Sequence, residues 1–172
     1  MGGRFLFVNP DYTDFNSQIY VASFPIARCL RRLVKTPKLQ FIDSGLLASL
    51  TDLTPAALEN SRSRFGHVLE SFIYAELLKH AASAEGDYQL LYYRDHDQYE
   101  VDLVAENAAG QLIGIEIKAA ASVGMNDLRG LKRLASIARE KFRLGVIFYD
   151  GLETLPLGER FWAVPISTLW GK

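Results

Sequence analysis

Cys29 is the only cysteine among 172 residues. A lone thiol closes no internal disulfide and builds no cysteine-based zinc cluster, and it suits a reducing cytoplasm. No apolar run is long enough to span a bilayer and no signal peptide opens the chain, so the expectation is a cytoplasmic protein with no membrane partner. An excess of one charge is lacking too: 19 Lys+Arg stand against 20 Asp+Glu, a formal net charge of −1. There is thus no overall cationic field, and any nucleic-acid binding must come from local patches. Repeats and low-complexity tracts are absent. His67, His80 and His96 show no metal-ligand spacing; the first two read as surface residues and the third belongs to a polar turn. What is present is material for a core. Hydrophobic residues make up 49% of the chain and aromatics 12%, enough for one folded domain.

Residues 1–40 read as an N-terminal arm or linker, basic and partly helical, and 41–172 as the main domain. The arm carries Arg28, Arg31, Arg32, Lys35 and Lys38 with no acid between them. That run is either a solvated face or a phosphate-contacting arm. Residues 38–42 suggest a short strand, 46–50 a helical turn, and Thr54-Pro55 a second helix start with an N-cap and proline at the first position. Over 61–80, Phe65, Leu69, Phe72, Ile73 and Leu77 recur at helical spacing. Strand patterns follow at 88–93, 99–105, 112–118 and 144–149, with a hairpin link at 107–110. Between the last two strands, 126–138 form a helix with Leu128, Leu131, Leu134 and Ala135 on one face. Residues 161–165 read as a strand and 166–170 as a final turn. Trp162 and Trp170 are expected to pack on the core. Helices flanking a strand-rich centre predict an α/β fold in three layers around a mixed sheet.

Two of these strands carry charge inside apolar runs, Glu100-Val101-Asp102-Leu103-Val104 and Ile115-Glu116-Ile117-Lys118, where charge is normally kept out. Alternation sends Ile113, Ile115 and Ile117 to one side and Glu116 and Lys118 to the other. Paired as a hairpin, the strands let Asp102 approach Glu116. Magnesium takes one or two carboxylates and keeps several waters. Asp102 and Glu116 supply the carboxylates and the Ile117 carbonyl a third oxygen, with Mg²⁺ or Mn²⁺ as the expected ion. Lys118 would orient or polarise the attacking water and offset charge in the transition state. Glu70, at the edge of the apolar stripe of the long helix, is the fourth candidate; an exposed helix-edge glutamate is the alternative. For the whole set the alternative is a cross-strand ion pair on the wet face of an antiparallel sheet. Arg129, Lys132 and Arg133 either face a nucleic-acid backbone or line a solvated helix face.

Ordered blocks along the chain resemble one family. They are Arg32-Leu33-Val34-Lys35-Thr36-Pro37-Lys38-Leu39, Phe41-Ile42-Asp43-Ser44-Gly45-Leu46, Phe65-Gly66-His67-Val68-Leu69-Glu70-Ser71-Phe72 and Leu91-Tyr92-Tyr93-Arg94-Asp95. Then come the two charged strands, Asp127-Leu128-Arg129-Gly130-Leu131, Pro156-Leu157-Gly158 and Ala163-Val164-Pro165. Together they resemble the C-terminal domain of unknown function carried by many predicted prokaryotic AAA-type ATPases, a nuclease-like domain of the PD-(D/E)XK type. The resemblance implies a restriction-endonuclease-like fold and makes Asp102, Glu116 and Lys118 the superfamily's Asp, Glu and Lys, with Glu70 the acid of the first core helix. It also implies a metal-dependent nuclease acting on DNA or RNA. Val101 stands where the motif has proline. No Gly-x4-Gly-Lys-Ser/Thr loop occurs, so neither an ATP site nor the ATPase half is expected within these residues. An ATPase or other protein partner, self-association, and a catalytically inactive module that binds nucleic acid or protein are the further expectations.

Overall fold

The computed structural model describes residues 19–22, 38–60 and 62–171. Arg28, Arg31, Arg32 and Lys35 of the basic run lie outside them. Two short strands, β1 (Ile19–Ala22) and β2 (Lys38–Phe41), pair antiparallel as a separate ribbon. Helix α1 (Ser44–Leu50) begins where the Asp43 carboxylate accepts the Leu46 N–H at 2.9 Å. Helix α2 (Pro55–Asn60) begins where the Thr54 hydroxyl accepts the Ala57 N–H at 3.2 Å, with Pro55 at the first helical position. Helix α3 (Arg62–Ser83) is the long one.

A six-stranded mixed sheet follows: β3 (Tyr88–Arg94), β4 (Glu100–Asn107), β5 (Leu112–Lys118), β6 (Phe142–Tyr149), β7 (Leu155–Gly158) and β8 (Phe161–Pro165). The spatial order is β3-β4-β5-β6-β8-β7. The first three strands run antiparallel as a meander. Their tight link uses Gly110 at φ 71°, while the Asn107 side chain accepts the N–H groups of Ala109 and Gln111. Between β5 and β6 the chain crosses over through a tight turn at Met125–Leu128 and helix α4 (Arg129–Ala138), which makes that pair parallel. Strand β7, four residues with Pro156 among them, forms the edge beside β8.

Helices cover both faces of this sheet. On one side Leu69 and Ile73 of α3 pack with Leu103, Ile115, Ile117 and Phe148, joined by Phe65, Phe72 and Leu77. On the other, Leu128, Leu131, Leu134 and Ala135 pack with Val101, Val104, Leu112 and Phe142. The apolar stripes read from both helices are therefore the surfaces that bury. The expected three-layer α/β arrangement is present: a central mixed sheet flanked by helices. Trp162 and Trp170 depart from expectation. They stay 37% and 50% exposed, and Trp170 leans on Phe72 with ring centres 5.6 Å apart. Among the described residues no helix is long and apolar enough to cross a membrane.

Candidate functional site

Strict alternation fails on β4, and the failure builds the site. Val101 and Val104 both pack on the α4 side while Leu103 packs on the α3 side. The cause is a bulge: Leu91 pairs with Val104 and Tyr93 with Val101, so Asp102 and Leu103 together oppose Tyr92. A bulge re-aims a side chain and can end a ladder. Here it does both. Pairing between β4 and β5 stops at Leu103 opposite Ile115. One step on, the Asp102 carboxylate replaces the missing strand partner, its Oδ2 accepting the Ile117 N–H at 2.9 Å.

The same register continued sets Asp102 across from Glu116. Both are buried, 8% and 6% exposed, so this end of the sheet is no wet face. Glu116 leans toward α4, whose Gly130 comes so close that an added Cβ would stand 2.9 Å from Glu116 Oε1 and 1.9 Å from the Glu100 carbonyl oxygen. Burial first, and the neighbouring Asp102 charge second, push the Glu116 carboxyl up to about 8, against the pull of Lys118. Lys118 Nζ sits 3.3 Å from Glu116 Oε2. Burial alone would lower the Lys118 amine, but Glu116 and Asp102 outweigh it and raise it, so the group is an ammonium.

Glu70 reaches the same place through a residue read differently in the sequence. Lys38 Nζ lies 2.9 Å from Glu70 Oε2, 3.2 Å from Asp102 Oδ1 and 3.5 Å from Glu100 Oε1. Its ammonium also stands over the Tyr92 ring, 5.3 Å from the centre. Lys38 belonged to the basic run as a candidate phosphate contact; it faces inward to carboxylates instead. A signal for this was available. In a strand, Lys38 and Gln40 share a face, and Gln40 is buried against Ser71, its Oε1 accepting the Ser71 hydroxyl at 3.3 Å. Ser71 is the neighbour of Glu70, so the pairs Gln40–Ser71 and Lys38–Glu70 come together. Glu100 and Gly130 were also unmarked as site residues.

The three cations of α4 separate. Arg133 is committed: Nε reaches Asp95 Oδ2 and Nη2 reaches Asp97 Oδ2, each at 2.7 Å. Buried Asp95 also takes the Tyr93 hydroxyl and the N–H groups of Asp97 and Tyr99, which pins the turn between β3 and β4. Arg129 stacks over Tyr99 at 5.7 Å and is exposed, as is Lys132. His67, His80 and His96 are all exposed.

Hard oxygen donors facing one another suit a divalent cation. Two buried carboxylates side by side, the Asp102 charge raising the Glu116 carboxyl, are the arrangement such an ion relieves, and magnesium needs only one or two of them besides water. The Ile117 carbonyl lies along the same opened strand edge as its N–H, since both groups of one residue point to the same neighbour. Among the described residues no three Asp, Glu, His or Cys side chains stand together as a ready cation site. The oxygen donors on offer here are Asp102, Glu116 and the Ile117 carbonyl, and water would have to complete any cation's shell.

A family described as a domain of unknown function (DUF4143) matches residues 65–169, more than half of the chain. The chain belongs to that family. No curated protein matches it.

Proposed function

We propose that this DUF4143 domain is a metal-dependent phosphodiesterase of the PD-(D/E)XK kind, with a restriction-endonuclease-like fold, acting on DNA or RNA. The observation that carries the reading is the meeting of Asp102, Glu116 and Lys118 where β4 and β5 separate. The mixed sheet and the resemblance of the charged blocks to that nuclease superfamily support it. Asp102, Glu116 and the Ile117 carbonyl would hold Mg²⁺ or Mn²⁺. Bound there, the ion supplies a lowered pKa for water and neutralises charge developing on phosphorus. Lys118 orients a water beside Glu116 and offsets charge on a phosphate oxygen. Glu70 sits at one remove, paired with the Lys38 ammonium that also reaches Asp102. Arg129 and Lys132 are exposed on the helix that Gly130 docks beside Glu116, which supports reading them as contacts to the nucleic-acid backbone. The resemblance to domains of AAA-type ATPases supports an ATPase as protein partner.

Incubation with plasmid and single-stranded DNA or RNA plus Mg²⁺ or Mn²⁺ tests this. Cleavage is expected, and it is expected to vanish in Lys118→Ala and Asp102→Asn while both remain folded. Cleavage that survives both substitutions belongs to a contaminant.

A second reading has one observation in its favour. Every buried side-chain polar atom described has a hydrogen-bond partner, so the acids and lysines already satisfy one another. That suits a nuclease-like module that binds nucleic acid or protein without cutting. Calorimetry separates the two: heat on Mn²⁺ addition that disappears in Asp102→Asn supports the enzyme, and metal-independent binding supports the module.

A further inference from the structure

Lys38 comes from outside the sheet that carries the other site residues. It opens β2 of the separate two-stranded ribbon and precedes the segment that matches the family. Its ammonium nonetheless ends within 3.5 Å of three carboxylates, Glu70, Asp102 and Glu100.

Asp102 has two oxygens, and both are taken. Oδ2 holds the Ile117 N–H and Oδ1 holds Lys38. The first contact replaces a strand hydrogen bond inside the fold. The second is made by the end of a flexible four-carbon stem. A cation entering at Asp102 therefore meets the lysine before it meets the fold. One ammonium brings a single charge to three carboxylates, whereas a divalent ion brings two charges at a shorter contact distance.

We infer that Lys38 is a built-in cation standing in for the divalent metal at Asp102, so that metal loading and withdrawal of the Lys38 ammonium are one coupled event. The inference rests on the metal-binding reading above and adds a regulator to it. The ribbon remains attached through Gln40 and Ser71 while the lysine leaves. Lys38 thereby sets the metal concentration at which the site fills. It also makes that threshold responsive to anything that moves the ribbon.

Acylation of the wild-type protein with an amine-selective acetylating reagent, read by peptide mass spectrometry with and without Mn²⁺, tests the coupling. Lys38 labelling is expected to rise several-fold on Mn²⁺ addition while the distant, exposed Lys141 stays constant. Calorimetry supplies the second arm. Lys38→Gln is expected to bind Mn²⁺ about tenfold tighter than wild type, the size of an ordinary coupling between two sites, and Lys38→Arg to bind like wild type. Tight binding to Lys38→Gln with none to wild type also supports the inference. Mn²⁺ heat in wild type with unchanged Lys38 labelling overturns it and leaves the metal site standing. Absence of heat in both wild type and Lys38→Gln removes both. Should Lys38→Gln fail to fold, labelling of the wild type decides alone.

Discussion

The Asp102 carboxylate accepts the backbone N–H of Ile117 at 2.9 Å, a side chain completing a ladder that its own strand has left. Removing it therefore has a structural cost separate from any catalytic one. Asp102→Ala leaves a buried N–H without an acceptor and takes a partner from Lys38. A lost hydrogen bond to a charged group costs about 1.5–3 kcal/mol. The expected result is a lower urea midpoint at unchanged slope for Asp102→Ala. Asp102→Asn keeps an acceptor oxygen and falls by less. Equal losses in the two variants would show that the Ile117 contact contributes nothing.

Stability is expected to decline as pH rises through neutrality. Glu116 titrates near its ordinary 4.5 in the unfolded chain and is pushed to about 8 in the fold. Between those values the folded state holds a proton that the unfolded state has released, so each step up in pH favours unfolding. The contribution is intact below about pH 4.5 and gone above about 8. Glu116→Gln removes it. Melting curves from pH 5 to 8 without divalent metal should fall for wild type and run flatter for Glu116→Gln. At pH 8 the variant should melt about 3 °C higher or more, equivalent to roughly 1 kcal/mol in a chain of this size. A wild-type slope matched by the variant would assign the titration elsewhere.

Gly130→Ala pits helix propensity against packing. Alanine gains about 1 kcal/mol over glycine in a helix interior. Against that, its Cβ would stand 1.9 Å from the Glu100 carbonyl oxygen, a backbone atom that cannot rotate away. Overpacking of this kind costs about 1–3 kcal/mol, and the severity of the contact places it at the upper end. Net destabilisation is expected in denaturant titration, along with weaker Mn²⁺ binding as α4 lifts from Glu116. A Gly130→Ala protein as stable as wild type, with unaltered metal binding, would refute this account of the helix's approach.

Arg133→Ala should raise the acid-unfolding midpoint. Burial would raise the Asp95 carboxyl, but the hydrogen bonds from Arg133, the Tyr99 N–H and Tyr93 outweigh it and hold it below its ordinary value. A lowered folded value gives stability that is present above the unfolded one and lost as pH falls through the folded one. Without Arg133 part of that depression disappears and acid acts sooner. Circular dichroism from pH 5 to 2 reads the shift. An unmoved midpoint would make the Arg133 contact ornamental.

Periodicity carried much of this architecture. The third sheet strand was readable to its ends because Leu112–Lys118 alternates cleanly, and both helix stripes bury as their spacing implies. Asp102 and Glu116 were visible as charge inside apolar runs, and their burial accounts for the anomaly. The bulge at Asp102 was not visible, because an extra residue in one strand leaves no mark on composition. Val101 and Leu103, which strict alternation would put on one face, consequently part company. Lys38 was missed because it was grouped with the basic residues that precede it, and its partners are distant in sequence. Strand β7 escaped because proline and glycine argue against a strand wherever they occur, although an edge tolerates both.

That last strand closes the sheet on its own side. Four residues give an incoming peptide little length to zip against, and the ring nitrogen of Pro156 offers no donor. Growth of the layer past β7, whether by recruitment of a foreign segment or by stacking of copies edge to edge, is thereby discouraged without any charged guard residue in the strand.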